Sequence, residues 1–444
     1  MRYLPHTREE IREMLAVTGH QDLEEMFEHI PEACRYQGTI DIPEQLSEWA
    51  LSDHFQTLGS KSLGPANRAV LLGAGSYSHH IPHIVSSLMG RSEFLTAYTP
   101  YQPEMAQGTL QGIFEYQTLT ARLIGMEVAN ASMYDGASAL AEAILMALRI
   151  GHGKQTVAIS SAIHPHYREV VRSYLQAGAF EIVELAIGPD GRTDLSSLQD
   201  VDGLAAVALQ SPNFFGVIED LEAAGQAIHD VDALFVSCFS EPFAYGLLRS
   251  PGQSGADIVC GEGQSFGMSQ SFGGPGLGMF ACNREYQRKM PGRLVGETVD
   301  IEGRRGWVLT LSAREQHIRR ERATSNICSN QGICALTAAA YMATLGGTGL
   351  RRMAKLNYDK ATYLKEGLIE AGASPLFSGP TFNEFVLRFP GDFAPVRKRL
   401  LEKGIVAGIG LGRFYKEYQG AYLFCVTETA TRAVLDEVIQ EVRS

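Results

Sequence analysis

Several groups of side chains in this chain have types and spacings that could do chemistry. The segment Tyr98-Thr99-Pro100-Tyr101-Gln102-Pro103-Glu104 sets two phenols, a hydroxyl, an amide and a carboxylate on one loop. Its two prolines hold the backbone extended, so these groups are set before any ligand arrives. That suits a small-molecule pocket; turned inward, the same tyrosines would serve a buried connection. His79 and His80 follow Ser76 and Tyr77, and His164 and His166 follow the strand-like run from Thr156 to Ser160. The histidine pKa suits proton transfer, although loop histidines also act as plain structural hydrogen-bonders. Neither an HExxH nor a CxxC pattern accompanies them, so no metal site is expected. Arg304, Arg305, Arg314, Arg319, Arg320 and Arg322 crowd between Gly303 and Asn326 of an otherwise acidic chain. They read either as a solvated helix face or as a grip for carboxylates on a partner.

The glycine-dense stretch from Ala256 to Cys282 organises the rest. A short apolar strand, Asp257 to Cys260, meets a polar loop that leads into a second strand, Gly276 to Cys282. No lysine lies between Lys154 and Lys289. Upstream, strands and helices alternate: strand Thr156 to Ser160, helix Tyr167 to Ala177, strand Glu181 to Ala186. Strand Leu204 to Gln210, helix Leu221 to His229 and strand Ala233 to Cys238 follow. This alternation predicts a mainly parallel sheet with right-handed crossovers, in an α/β domain. Such sheets bind ligands beyond the carboxyl ends of their strands, so the loops after Ser160, Gln210, Cys238 and Cys260 should share one edge. The alanine- and leucine-rich run that follows Asp135 and Gly136 reads as a buried helix.

The 444 residues, 45% of them hydrophobic, suffice for one large and one smaller domain. We expect an N-terminal helical arm over residues 1–60, a large domain over 61–326 and an α+β small domain over 327–444. In the arm, Thr7 before REEIREML reads as an N-cap, and the stripe Ile11, Met14 and Leu15 packs on its own domain or on a partner subunit. A net charge of −12 without an acidic block argues against a nucleic-acid partner. No leader-like apolar segment opens the chain, and no run reaches the ~20 apolar residues of a membrane span. The seven cysteines are scattered and odd in number, which together predicts a cytoplasmic protein.

The chain carries the runs Tyr98 to Glu104, Gln107-Gly108, Tyr116-Gln117-Thr118, Ala129-Asn130-Ala131-Ser132 and Ala323-Thr324-Ser325-Asn326-Ile327-Cys328. Through these runs nearly the whole chain resembles the P-protein of the glycine cleavage system, and within it the N-terminal-half subunit (α) of the two-chain form. The resemblance implies a large domain of the fold-type I pyridoxal-phosphate (PLP) class, aminotransferase-like, with a C-terminal small domain. In that class a lysine after the strand beginning at Asp257 holds PLP; here Gln264 or Ser265 takes the position, depending on how the loop is counted. Covalent attachment needs an amine, which neither an amide nor a hydroxyl supplies. Glu241 is the nearest acid where an aspartate would face the pyridine nitrogen. At Gly136 the cofactor phosphate would sit on a helix N-terminus, and the anion of Asp135 should repel it.

The resemblance therefore implies a subunit with no catalytic residues of its own. PLP would be held by a β subunit in an α2β2 heterotetramer. Glycine would be decarboxylated, and its aminomethyl group passed to the lipoyl arm of the H-protein. Tyr98, Thr99, Tyr101, Gln102, Glu104, His79 and His80 would line a pocket shared at the subunit interface. Gln264, Ser265, Asp135 and Gly136 would be a vestigial cofactor site, and Arg304, Arg305, Arg314, Arg320 and Arg322 a docking surface for the carrier. Two other readings stand beside it: a free-standing PLP enzyme of aminotransferase or desulfurase type, and a structural or regulatory scaffold.

Overall fold

A computed structural model describes residues 6–36, 38–61, 69–96 and 98–443. The chain parts into two compact units, Met1–Ser62 and Leu63–Ser444. In the first, helix Arg8–Thr18 opens on a reciprocal cap. The Thr7 hydroxyl accepts from the Glu10 N–H, and the Glu10 carboxylate accepts from the Thr7 N–H. Gly19 closes the helix at φ 79°, a conformation that glycine adopts without steric cost. Only Leu15 of this helix is buried. A second helix, Glu48–Ser60, starts at Ser47 and leaves Trp49, Leu51, Phe55 and Leu58 exposed.

The larger unit is built on seven strands: β1 Val128–Ala129, β2 Thr156–Ser160, β3 Glu181–Leu185, β4 Leu204–Gln210, β5 Leu234–Phe239, β6 Ile258–Glu262 and β7 Gly278–Cys282. They lie in the order β1-β7-β6-β5-β4-β2-β3; β7 pairs antiparallel with both neighbours, and the other pairings are parallel. Alternation along each strand sends residues to opposite faces. In β4, Val207 and Leu209 enter one core while Ala206 and Ala208 enter the other; in β5, Phe235 and Phe239 part from Val236 and Cys238 in the same way. Helices Gly136–Ile150 and Pro165–Leu175 cover one face. Helices Gln107–Ile124 and Leu221–His229 and the start of Gly332–Glu370 cover the other. Burial on both faces is why these strands read as apolar runs.

The helical span Gly332–Glu370 breaks at Gly346, where the backbone takes φ 58°. By length and composition it could cross a membrane. Its first part instead contributes Cys334, Ala335, Ala338, Tyr341 and Met342 to the core of the large sheet. Beyond the break, Ala361, Leu364 and Leu368 join a C-terminal core with Phe385, Leu387, Phe424 and Val438. That core backs an antiparallel sheet of Ser374–Pro375, Glu384–Arg388, Ala421–Cys425 and Ile409–Gly410. The early strand Ala69–Leu71 pairs in parallel with Ile405–Ala407.

The arginine-rich segment departs from the helix-face reading. Arg304 and Arg305 lie on an antiparallel hairpin, Leu294–Val299 with Arg305–Thr310, and the arginines beyond it lie on short turns. The hairpin is only partly buried and carries charges on both strands, which hides its period of two from the sequence.

Candidate functional site

The loops after β2, β4, β5 and β6 do share one edge, and hydrogen bonds link them. The His164 N–H donates to Gln210 (2.8 Å), and the Gln210 amide reaches Ser240 (3.4 Å). The Tyr77 hydroxyl lies 3.0 Å from that serine. Tyr77 is fully buried and donates to Glu384 at 2.8 Å. Glu384 also accepts the Ala74 N–H (2.7 Å). Burial pushes the Glu384 carboxyl up to about 7, against the pull of these two donors.

Gln264 is fastened to the same tyrosine. Its Oε1 accepts the Tyr77 N–H at 3.0 Å, and its Nε2 donates to the Tyr77 carbonyl at 3.1 Å and to the Met268 carbonyl at 2.6 Å. The amide thus pairs with a backbone peptide edge to edge, which a lysine amine could not do. Ser265 is buried beside it, and its hydroxyl has no hydrogen-bond partner among the described residues.

At the opening of helix Gly136–Ile150, Asp135 caps by accepting the Ser138 N–H at 2.8 Å. The free N–H of Gly136 goes to Glu262 (2.9 Å). Glu262 also accepts from the N–H groups of Gln264 (3.0 Å) and Leu277 (2.8 Å). Burial raises its carboxyl to about 7, moderated by these three donors. Glycine is required at 136, because a Cβ there would come within 2.4 Å of the Tyr167 hydroxyl and 2.8 Å of the Glu262 nitrogen. The donors that a helix N-terminus offers to a phosphate are taken here by two carboxylates of the chain itself. The residues that the resemblance sets at a cofactor site therefore do not fit PLP: Asp135 and Glu262 take N–H groups at the helix opening, Gln264 is an amide already paired, and Ser265 has no amine.

His79 does not join Tyr98 and Tyr101. It is buried between two carboxylates, with Nε2 at 2.9 Å from Glu241 and Nδ1 at 2.8 Å from Glu428. Burial disfavours its charge, but the two carboxylates outweigh that and raise it to about 10. Its ring packs 4.6 Å from Phe243, which continues into Phe266 and Tyr341. The His80 side chain is exposed, while its N–H donates to Glu428 (2.6 Å) and its carbonyl accepts from Tyr341 (3.0 Å). Glu241 is thus a partner of His79, at a place where the resemblance expects an acid for a pyridine nitrogen. His164 is held neutral: burial lowers it to about 4, its Nε2 donates to the Ala74 carbonyl, and its Nδ1 accepts the His166 N–H.

The tyrosine loop lies elsewhere, on an open groove of about 810 Å³ lined by Tyr101, Pro103, Arg293, Glu315, His317 and Cys328 among others. Tyr98 and Tyr101 are 74% and 72% exposed, so they form no buried connection within this chain. Gln102 and Glu104 are exposed as well, and the Thr99 hydroxyl meets the Arg293 guanidinium. The segments Tyr98 to Glu104 and Ala323 to Cys328 therefore meet at one surface.

The arginines do not act as a unit. Arg304 is paired with Asp300 (2.8 Å) and Glu302 (3.0 Å); Arg305 is paired with Glu297 (2.7 Å) and lies over Trp307. Arg314 is half-buried, donates to the Gly292 carbonyl at 2.9 Å, and has its pKa lowered by that burial. Arg320 and Arg322 are exposed. Sequence reasoning missed Glu262, Glu384, Glu428 and Arg293; of these, only Glu262 carried a local signal, an acid two residues before Gln264.

The chain matches the family model described as "Glycine cleavage system P-protein" over residues 1–442. It is 64% identical over 443 residues to a probable glycine dehydrogenase (decarboxylating) subunit 1 of Desulfotalea psychrophila, covering 100% of this chain and 98% of the relative. To the protein of the same description from Anoxybacillus flavithermus it is 49% identical, covering 99% and 98%. Among solved structures, glycine decarboxylase (P-protein) of the glycine cleavage system, in inhibitor-bound form, matches with a TM-score of 0.91 at 45% identity, covering 100% of this chain and 99% of that one. A glutamate decarboxylase of Lactobacillus brevis matches at a TM-score of 0.69 and 13% identity, covering 95% and 96%; it shares the fold, that of the fold-type I PLP enzymes. By its sequence over its whole length and by its fold, the chain belongs to the glycine cleavage system P-protein family.

Proposed function

We propose that this chain is the subunit of glycine dehydrogenase (decarboxylating) that carries no PLP, and that it completes the active site of a PLP-bearing β subunit in an α2β2 assembly. The observation that carries this reading is the self-filled cofactor site: Gln264 paired with Tyr77, and Glu262 on the Gly136 N–H. A chain that spends its anion-binding N–H groups and its lysine position on internal bonds keeps the fold for a purpose other than holding the cofactor. PLP in the partner supplies the electron sink for loss of CO2 from glycine. This chain supplies the exposed wall of Tyr98, Thr99, Tyr101, Gln102 and Glu104. Phenol faces and an uncharged amide suit a partly dry site that must also admit a lipoyl arm from the H-protein. The exposed Arg320 and Arg322, with the mixed-charge hairpin bearing Arg304 and Arg305, are the surfaces we assign to carrier docking. Arg314, half-buried, supports that surface from beneath. A cytoplasmic location follows from this partnership.

The decisive experiment uses the purified chain, the lysine-bearing subunit, and the two mixed. The chain alone, incubated with PLP and treated with borohydride, should yield no reduced lysine adduct and no release of CO2 from glycine. Mixing should give a stable heteromer with activity. An adduct on this chain would favour a free-standing PLP enzyme. Full activity after Tyr98 and Tyr101 are both replaced would favour a scaffold.

A further inference from the structure

Arg293 sits where four segments of the chain converge, and its bonds span all of them. Its guanidinium meets the Thr99 hydroxyl and donates to the Cys328 carbonyl at 3.3 Å. Its own carbonyl accepts the Ala131 N–H at 2.8 Å. Two residues before it, the Pro291 carbonyl accepts the Asn130 amide at 3.0 Å. Between them Gly292 takes φ 73°, and a Cβ there would lie 2.9 Å from that same amide. Asn330 and Gln331 complete the junction, bonding the Ala131 carbonyl and the Ser132 hydroxyl at 3.0 Å each. Behind Arg293 the backbone is thus fixed, and in front of it the guanidinium reaches two walls of the open groove. Of the groups reached by its side chain, one lies on the tyrosine loop and the other on the exposed segment carrying Cys328.

We propose that Arg293 is a positioning residue for this groove, holding the tyrosine loop at a set distance from the Cys328 segment. The planar fork suits the role, because its N–H groups lie at fixed angles and so hold the two walls in one geometry, whereas the donors of a lysine ammonium rotate freely on a flexible stem. The inference rests on the reading that the groove belongs to the active site of the assembled complex. Without the guanidinium, the tyrosine loop would lose a tether to the junction and the groove its width. The effect belongs to the larger, second substrate, since glycine is too small to span the two walls.

The test uses the complex reconstituted with the lysine-bearing subunit, glycine, and free lipoamide as acceptor. Arg293→Ala and Thr99→Val should each raise KM for lipoamide about tenfold, with KM for glycine little changed, because only the acceptor depends on groove width. Arg293→Lys should fall between wild type and alanine, and Thr99→Ser should recover most of what valine loses. A second readout needs no activity: iodoacetamide should label Cys328 in the isolated chain at least about threefold faster in Arg293→Ala than in wild type. Unchanged lipoamide KM in both Arg293→Ala and Thr99→Val would overturn the proposal. If Arg293→Ala fails to assemble, the Thr99→Val and Thr99→Ser pair decides. An inactive wild-type complex would overturn the functional reading instead, and the labelling rate would still decide whether Arg293 holds the segment.

Discussion

Gln264 and His79 show how much a single side chain can settle. Replacing Gln264 with lysine supplies the missing amine but removes the amide that satisfies both the N–H and the carbonyl of Tyr77. Each buried group left unpaired costs about 1–3 kcal/mol. We therefore expect Gln264→Lys to melt several degrees below wild type and to give no visible absorption band with PLP, since Glu262 still fills the phosphate cradle; a spectrum and a melting curve check both. His79 gives a pH signature. Its folded pKa, about 10, lies above the ordinary 6.5. Its stabilisation is thus complete below about pH 6.5 and is lost as pH rises through 10. Glu262 and Glu384, both raised from 4.5 to about 7, contribute a loss that is finished near neutrality. Thermal melts between pH 7 and 10 should therefore fall more steeply for wild type than for His79→Gln. Equal slopes would mean that His79 is not charged in the folded chain. The missing amine was legible beforehand, but these pairings were not: Tyr77–Glu384 and His79–Glu428 join residues more than three hundred positions apart, and no local pattern announces them.

Elements were far easier to read than their contacts. The strands Thr156–Ser160 and Leu204–Gln210 and the helix Leu221–His229 fall where their apolar patterns place them. Both faces of the sheet are buried, so the signal there is continuous. The strand ending the glycine-rich loop starts at Gly278 rather than Gly276, and the Leu277 N–H just before it goes to the Glu262 carboxylate instead of a neighbouring strand. The hairpin that carries Trp307 escaped notice because its charges answer one another across the strands. That pairing shapes a prediction for this element. Replacing Arg304 and Arg305 with alanine would leave Glu297, Asp300 and Glu302 unpaired by them, so a carrier gripped through its carboxylates should meet repulsion as well as lost attraction. KM for the H-protein should rise several-fold in dilute buffer and return towards wild type at high salt, where screening acts over less than ~8 Å. An unchanged KM at low salt would leave the hairpin a structural rim. At the opening of helix Gly136–Ile150, Glu262→Gln offers one acceptor oxygen to N–H groups that now use two. A loss of about 1–3 kcal/mol in a denaturant titration is expected.

For the whole molecule, the fold class was legible and the pocket only in part. The motif Tyr98 to Glu104 was visible in the sequence, but its exposure was not, because tyrosines and prolines in a loop read the same whether the loop is buried or open. We expect Tyr101→Phe and Gln102→Ala to lower turnover of the assembled complex about tenfold, a barrier change of about 1.4 kcal/mol, with assembly intact by gel filtration. Wild-type turnover in both variants would return the loop to simple packing. The self-filled cofactor site has one more consequence, which concerns supply. A chain whose helix-opening N–H groups close on its own carboxylates needs no phosphate to satisfy them, so its folding should not depend on the supply of vitamin B6. It also offers nothing to carbonyl poisons. Hydroxylamine titrated into the assembled complex should be consumed at one equivalent for every two polypeptides, so that half the chains give the complex all of its sensitivity.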